Sequence, residues 1–182
     1  MVERNLAKVE VASSRLVSRS RFRGTARYDP RRFGRRGAAP FLIEAAVVRE
    51  AIYAADAGAL SRPNNEGWSI RDILVHLSDA EMVRATRIRM ILATEDAPLF
   101  TFDEAMWKRK LHYLWRSPEA AIALFDELRF TTMEILRQLD MKSWERAGVL
   151  PDGESLSVGE LIMRGARHSD EHAEQIRRMR GG

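Results

Sequence analysis

The stretch WSIRDILVHLSDAEMVRATRIRMILA, Trp68 to Ala93, decides the fold. Its apolar residues Ile70, Ile73, Leu74, Leu77, Ile88, Ile91 and Leu92 recur at spacings of three and four, which lines one face of an α-helix. Side chains also mark its start. Ser69 is placed to cap the first turn with Asp72 three residues on, and Trp68 to pack across the cap on Ile73 as a hydrophobic staple. Two charged residues, Glu81 and Arg84, fall inside the apolar stripe at a spacing that lets them pair. They are either a buried structural pair or groups that support a site.

Reading outward from this helix extends the same pattern. FLIEAAVVREAIYAADAGAL (Phe41 to Leu60) predicts a first helix, ended by SRPNNEG, where Pro63 and Gly67 interrupt. Downstream, a connection through Pro98 leads to a short helix in FDEAMWKRKLHYLW with Asp103 as its cap. Ser117 followed by Pro118 opens another long helix, predicted to reach about Leu139. The last helix opens as the second does, with Ser157 as cap, Glu160 as its partner and Leu156 stapled to Leu161, and runs to about Met179. Little of the chain alternates with a period of two. The expected fold class is therefore all-α: a four-helix bundle with one short extra helix and a basic N-terminal extension. Trp68, Trp107, Trp115 and Trp144 are expected to be packing anchors within it, not a platform for substrate.

The charge is unevenly placed. The net charge is +4, yet residues 1–40 hold eleven Arg or Lys against Glu3, Glu10 and Asp29, a local excess of +8 that leaves the remainder at −4. The expected division is a basic, disordered extension over residues 1–38 and a folded domain over 39–182. A basic arm for an acidic partner, a transit-like segment and residues from an upstream start codon are alternatives for the extension. A mildly acidic domain argues against nucleic acid as a partner except through the tail. Apolar runs such as AAVV fall far short of the roughly 18 residues that a membrane span needs, so no membrane is expected. There is no cysteine, which excludes disulfides and thiolate metal sites and is compatible with the cytoplasm, the expected location.

The chemistry of the chain rests on its histidines, of which there are four. His168 and His172, in GARHSDEHAEQIRRM, lie four apart and within the apolar arc of the last helix formed by Leu161, Ile162, Gly165, Ser169, Ala173 and Ile176. Imidazoles one turn apart can converge on one ion, and neutral imidazole is the usual nitrogen ligand of Zn, Ni, Cu or Fe. On this helix alone, a buried histidine hydrogen-bonded to a carboxylate or carbonyl is an equal alternative. His76, at the edge of the second helix's stripe, supplies a third donor. Three histidines from two helices leave positions on an ion for water or substrate, the arrangement of a catalytic site. His112, in the basic segment KRKLHYLW, is expected at the surface or in packing.

In this order, WSIRDILVHLSDAE, RIRMIL, FDEAMW, FDELR and HSDEH resemble the DinB/YfiT-like superfamily of metalloenzymes over Phe41 to Met179. The resemblance implies a DinB-like bundle in which His76, His168 and His172 bind a divalent metal ion, most often Zn or Ni. Some members resemble thiol S-transferases, in which the metal activates a low-molecular-weight thiol; others are called hydrolases or are known only as stress-induced proteins. It therefore implies a metal-dependent enzyme with a small-molecule substrate, with thiol transfer expected first and hydrolysis or a non-catalytic stress-related role as alternatives. Many relatives are dimers, so a homodimer is possible here. Arg87 lies on nearly the same strip as His76, about three turns along, where it is a candidate contact for the thiol cofactor or an anionic substrate; a solvated or ion-paired arginine is the alternative. The catalytic base is left unassigned, because helical phase turns Asp170 away from the histidines and Glu171 to the side.

Overall fold

The computed structural model describes residues 57–180. The basic extension, and all of the Phe41 to Leu60 helix but its end, lie outside them. The described residues open with α1 (Ala57–Ser61) and continue into α2 (Ile70–Ala93). Ser69 Oγ accepts the Asp72 amide at 3.1 Å while Asp72 Oδ2 accepts the Ser69 amide at 3.0 Å, so two donors that the helix start leaves without partners are satisfied reciprocally. There follow α3 (Glu104–Lys110), capped by Asp103, a 3-10 turn (Tyr113–Trp115) and α4 (Pro118–Leu136), capped by Ser117. A five-residue helix α5 (Met141–Glu145) and two antiparallel strands, β1 (Ala147–Val149) and β2 (Ser155–Ser157), precede α6 (Val158–Arg180).

Two clusters of apolar side chains sit at opposite ends of this assembly. Ile70, Ile73, Leu74, Leu77, Ile122, Phe125 and Ile176 form one. Ile88, Ile91, Met133, Leu136, Trp144, Leu156, Leu161 and Ile162 belong to the other. The order in which each helix visits the two clusters gives its direction. Both α2 and α4 start at the first cluster and end at the second, so they run parallel, with α3 in the crossover between them; α6 runs the opposite way. The middle of all three helices is a layer of buried polar groups: His76, Glu81, Arg84, Arg129, Ser169 and His172.

Several expectations are corrected. The fourth helix ends at Leu136, short of Leu139, and passes through a turn to Asp140, whose Oδ1 accepts the Ser143 amide at 2.8 Å and opens α5. Strands of three residues are too short to show a period of two, which is why the hairpin was not expected; only the Pro151 to Gly153 turn, with Gly153 at φ +87°, leaves a legible trace. Trp144 is a buried anchor, and Trp68 and Trp107 are half-buried against the core. Trp115 is no anchor, since 85% of it is exposed.

The hairpin ties the ends of α2 and α6 together. Arg146 donates to the carbonyls of Ile91 at 3.1 Å and Thr94 at 3.2 Å, satisfying acceptors at the end of α2. Val149 exchanges backbone hydrogen bonds with the Ala97 to Leu99 segment, and Gly148 permits the approach: a Cβ there would lie 2.7 Å from the Ala97 carbonyl oxygen. Gly165 has the same use on α6, where a Cβ would lie 2.5 Å from Arg84 Nε.

Candidate metal centre

The histidines meet because α2 and α6 pack with their central turns face to face. His76 Nε2 lies 2.9 Å from His168 Nε2, which lies 3.1 Å from His172 Nε2, and the ring nitrogens of all three fall within 4.8 Å of one another. His76, expected at the edge of its stripe, is fully buried. Burial lowers its pKa well below the ordinary 6.5, with His172 and Arg84 adding to the effect. His168 is lowered in the same way, by burial first and then by His172, His76, Arg84 and Arg129. Burial also lowers His172, against its hydrogen bond to Gln175. All three rings are thus held neutral near pH 7, the form that ligates metals.

Hydrogen bonding alone does not satisfy this cluster. The His172 Nδ1 donates to Gln175 Oε1 at 2.8 Å, which leaves its Nε2 with a lone pair. His168 Nε2 then has two short contacts and at most one proton. If it donates to His172, it has no lone pair to receive from His76; if it does not, two lone pairs face each other. A cation among the three nitrogens satisfies every lone pair at once. Zinc–nitrogen bonds of about 2.1 Å put tetrahedral ligands roughly 3.4 Å apart, so the two short pairs, at 2.9 and 3.1 Å, need to open by only a few tenths of an ångström. The donor set fits a divalent ion.

Around the triad the structure adds groups that the sequence reading missed. Glu104 Oε2 stands 3.8 Å from His76 Nε2, and burial followed by the nearby Asp103 raises its pKa above the ordinary carboxyl value. Its place just after the Asp103 cap made it look like no more than a helix start. Gln175 orients His172 in the manner of groups that support metal ligands, and its spacing of three from His172 was the available clue. Glu81 pairs with Arg84, as its spacing suggested, and its Oε2 also accepts from Arg129 Nε at 3.3 Å, a partner from a different helix that no local pattern reveals. Arg129 Nη2 goes on to Ser169 Oγ at 2.7 Å, so this network adjoins the histidine-bearing turn of α6.

The structure does not bring the other candidates to the triad. Arg87 is eleven residues beyond His76, about 16 Å along the helix axis. Its Nη2 donates to the Phe100 carbonyl and its guanidinium lies over the Phe100 ring. His112 is exposed, at φ +49°, with Trp115 as its ring neighbour. Asp170 and Glu171 are exposed.

The family profile described as the DinB superfamily matches residues 45–176. This chain belongs to the DinB superfamily. A protein of Bacillus licheniformis, named as a candidate metal-dependent hydrolase, is 29% identical over 113 residues, which are 61% of this chain and 64% of that relative. YfiT of Bacillus subtilis, named likewise, is 24% identical over 74% of this chain and 79% of its own length. The solved structure of YfiT, described as having an unusual four-helix bundle topology, matches with a TM-score of 0.73 over 78% of this chain and 82% of that one, at 24% identity. A mycothiol-dependent maleylpyruvate isomerase shares the fold at a TM-score of 0.63 and 14% identity, over 76% of this chain and 58% of the isomerase. The DinB four-helix bundle is therefore the fold of this chain, and no described helix is long and apolar enough to cross a membrane.

The depressed histidines make a stability prediction. Their pKa values are lower folded than the 6.5 of the free side chain. Below about pH 6.5 the unfolded chain therefore takes up protons that the folded protein refuses, and stability falls as pH drops. The slope is at most about 1.4 kcal/mol per pH unit for each histidine in that window, and it fades above it. Urea unfolding of the metal-free protein at pH 7.5, 6.0 and 5.0 measures this. Equal stability at all three would show that the rings are not held neutral.

Proposed function

We propose that this chain is a divalent-metal enzyme that transfers the sulfur of a low-molecular-weight thiol to a small electrophile, with His76, His168 and His172 holding the ion. The observation that carries this reading is three neutral imidazoles converging beside one acid, Glu104. Bound there, a divalent ion supplies positive charge that lowers the pKa of a coordinated thiol or water. Zn and Ni both suit an all-imidazole donor set. A thiol, ordinarily titrating at about 8.5, needs far less of this help than water, a much weaker acid. The chain has no cysteine, so the thiol comes from outside, as it does for the mycothiol-dependent isomerase with the same fold.

In this reaction Glu104 takes the thiol proton, the sulfur forms a bond to the electrophilic carbon, and the leaving group departs with the electron pair of the broken bond. Arg87 contributes at a distance, by holding Phe100 and with it the segment that leads into Glu104. The cytoplasm, where such thiols stay reduced, is the compartment this chemistry requires. The names of the curated relatives favour hydrolysis as the second reading, with Glu104 taking a proton from water instead.

The test uses the full chain loaded with zinc or nickel, 1-chloro-2,4-dinitrobenzene as electrophile, and mycothiol, glutathione or cysteine as thiol. Thiol-dependent product formation is expected, and Glu104→Gln should lower kcat about 10²- to 10⁴-fold with metal stoichiometry unchanged. Thiol-independent cleavage of p-nitrophenyl acetate without any thiol transfer would select hydrolysis. A protein that takes up no metal would end both readings.

A further inference from the structure

Phe102 is half-buried, yet among the described residues it joins none of the apolar core clusters. Its ring instead lies parallel to the His76 imidazole, 5.8 Å between centroids and 5° between planes. Trp107 meets Phe102 edge to face at 4.8 Å, and Trp68 meets His76 at 5.6 Å and 74°. Two aromatic rings from separate segments, Phe102 and Trp68, thus flank a histidine that is itself fully buried, Trp107 abuts Phe102, and each of the three rings keeps part of its surface in solvent. Core packing does not explain Phe102.

The charges beside these rings are already matched. Lys108 Nζ lies 4.5 Å from the centre of Trp68 and 3.1 Å from Asp72 Oδ2. Glu104 Oε2 stands 3.8 Å from His76 Nε2. A phosphate or carboxylate group would meet an already paired cation and an acid there, whereas an uncharged flat group would meet polarisable ring faces.

We propose that Phe102 and Trp107, with Trp68 at their side, form a subsite that selects electrophiles bearing an aromatic or other flat, uncharged group and holds that group next to His76. This rests on the metal-enzyme reading above for its role in turnover, but the binding it predicts does not need the metal. Stacking on Phe102 sets the orientation of the group, Trp107 braces Phe102, and the two are specificity-determining residues, not catalytic ones.

The experiment titrates full-length protein, metal-free and zinc-loaded, with 2-naphthol and with cyclohexanol, following the imidazole protons of His76 by NMR. Binding of 2-naphthol with ring-current shifts at His76, and at least severalfold weaker binding of cyclohexanol, is expected in both forms. Phe102→Ala should weaken 2-naphthol about twofold to tenfold, and Phe102→Leu less, with zinc stoichiometry unchanged in both. Trp107→Leu gives a second variant, at a half-buried ring, and it should weaken 2-naphthol in the same direction. Equal affinity for the two alcohols, no shift at His76, or 2-naphthol affinity indifferent to both substitutions overturns the proposal. Failure to bind zinc with naphthol binding intact would instead count against the metal reading alone.

Discussion

Glu81→Ala is expected to destabilise the protein by about 3 to 5 kcal/mol, the cost of removing one partner from a buried set of charges. Glu81 is fully buried, and its Oε2 is shared by Arg84 of the same helix and Arg129 of α4. Both guanidinium groups are themselves buried, Arg129 almost wholly. Without the shared carboxylate, their positive charges face each other across the packed centre of the molecule. Glu81→Gln should lose less, because the amide oxygen still accepts hydrogen bonds although the charge is gone. Chemical unfolding followed by circular dichroism measures both, and a loss under 1 kcal/mol for the alanine variant would show that Glu81 does not hold this layer together. Metal affinity should fall as well. Arg84 and Arg129 already act on His168 electrostatically, and losing the carboxylate they share leaves more of their positive charge to repel a cation.

His168→Ala is expected to abolish stoichiometric metal binding. Its Nε2 is the nitrogen common to both short contacts of the triad, so its removal leaves His76 and His172 as two donors from different helices with nothing between them. Changing a group that merely orients a ligand costs about 10- to 100-fold in metal affinity, which is the expectation for Gln175→Ala. Losing a ligand should cost more than that, placing His168→Ala beyond a hundredfold. Elemental analysis of tag-free protein, with competition against a chromophoric chelator, gives the order of the two variants. Metal content equal to wild type in His168→Ala would sink the assignment of the triad.

The sequence is most legible where structure is local. Ser69 with Asp72, Ser117 with Pro118, and Ser157 with Glu160 mark helix starts within three or four residues, and each of these helices begins where its cap predicts. The facing of His168 and His172 follows from helical period alone. What joins distant segments is not written in any such window. Glu104 comes to His76 only because the crossover between two parallel helices folds back over the start of α2, and Arg129 reaches Glu81 only across the α2 to α4 interface. The hairpin was lost for a different reason: three-residue strands carry too few alternations to separate from a loop.

One consequence of that hairpin concerns insertions and deletions. Ser157 pairs with Ala147 at the end of the ladder, and the Val158 amide donates to the Arg146 carbonyl at 3.0 Å, so α6 starts from a point already pinned to α2 through Arg146. Gly165 locks the same helix against Arg84. The hairpin therefore acts as a rotational index for α6. Each residue added between Ser157 and His168 would turn both histidines by about 100° about the helix axis, away from His76, whereas the exposed turn at Pro151 to Gly153 can lengthen without transmitting any rotation. Chain length is thus constrained for ten residues upstream of the first histidine of α6 and free just before them.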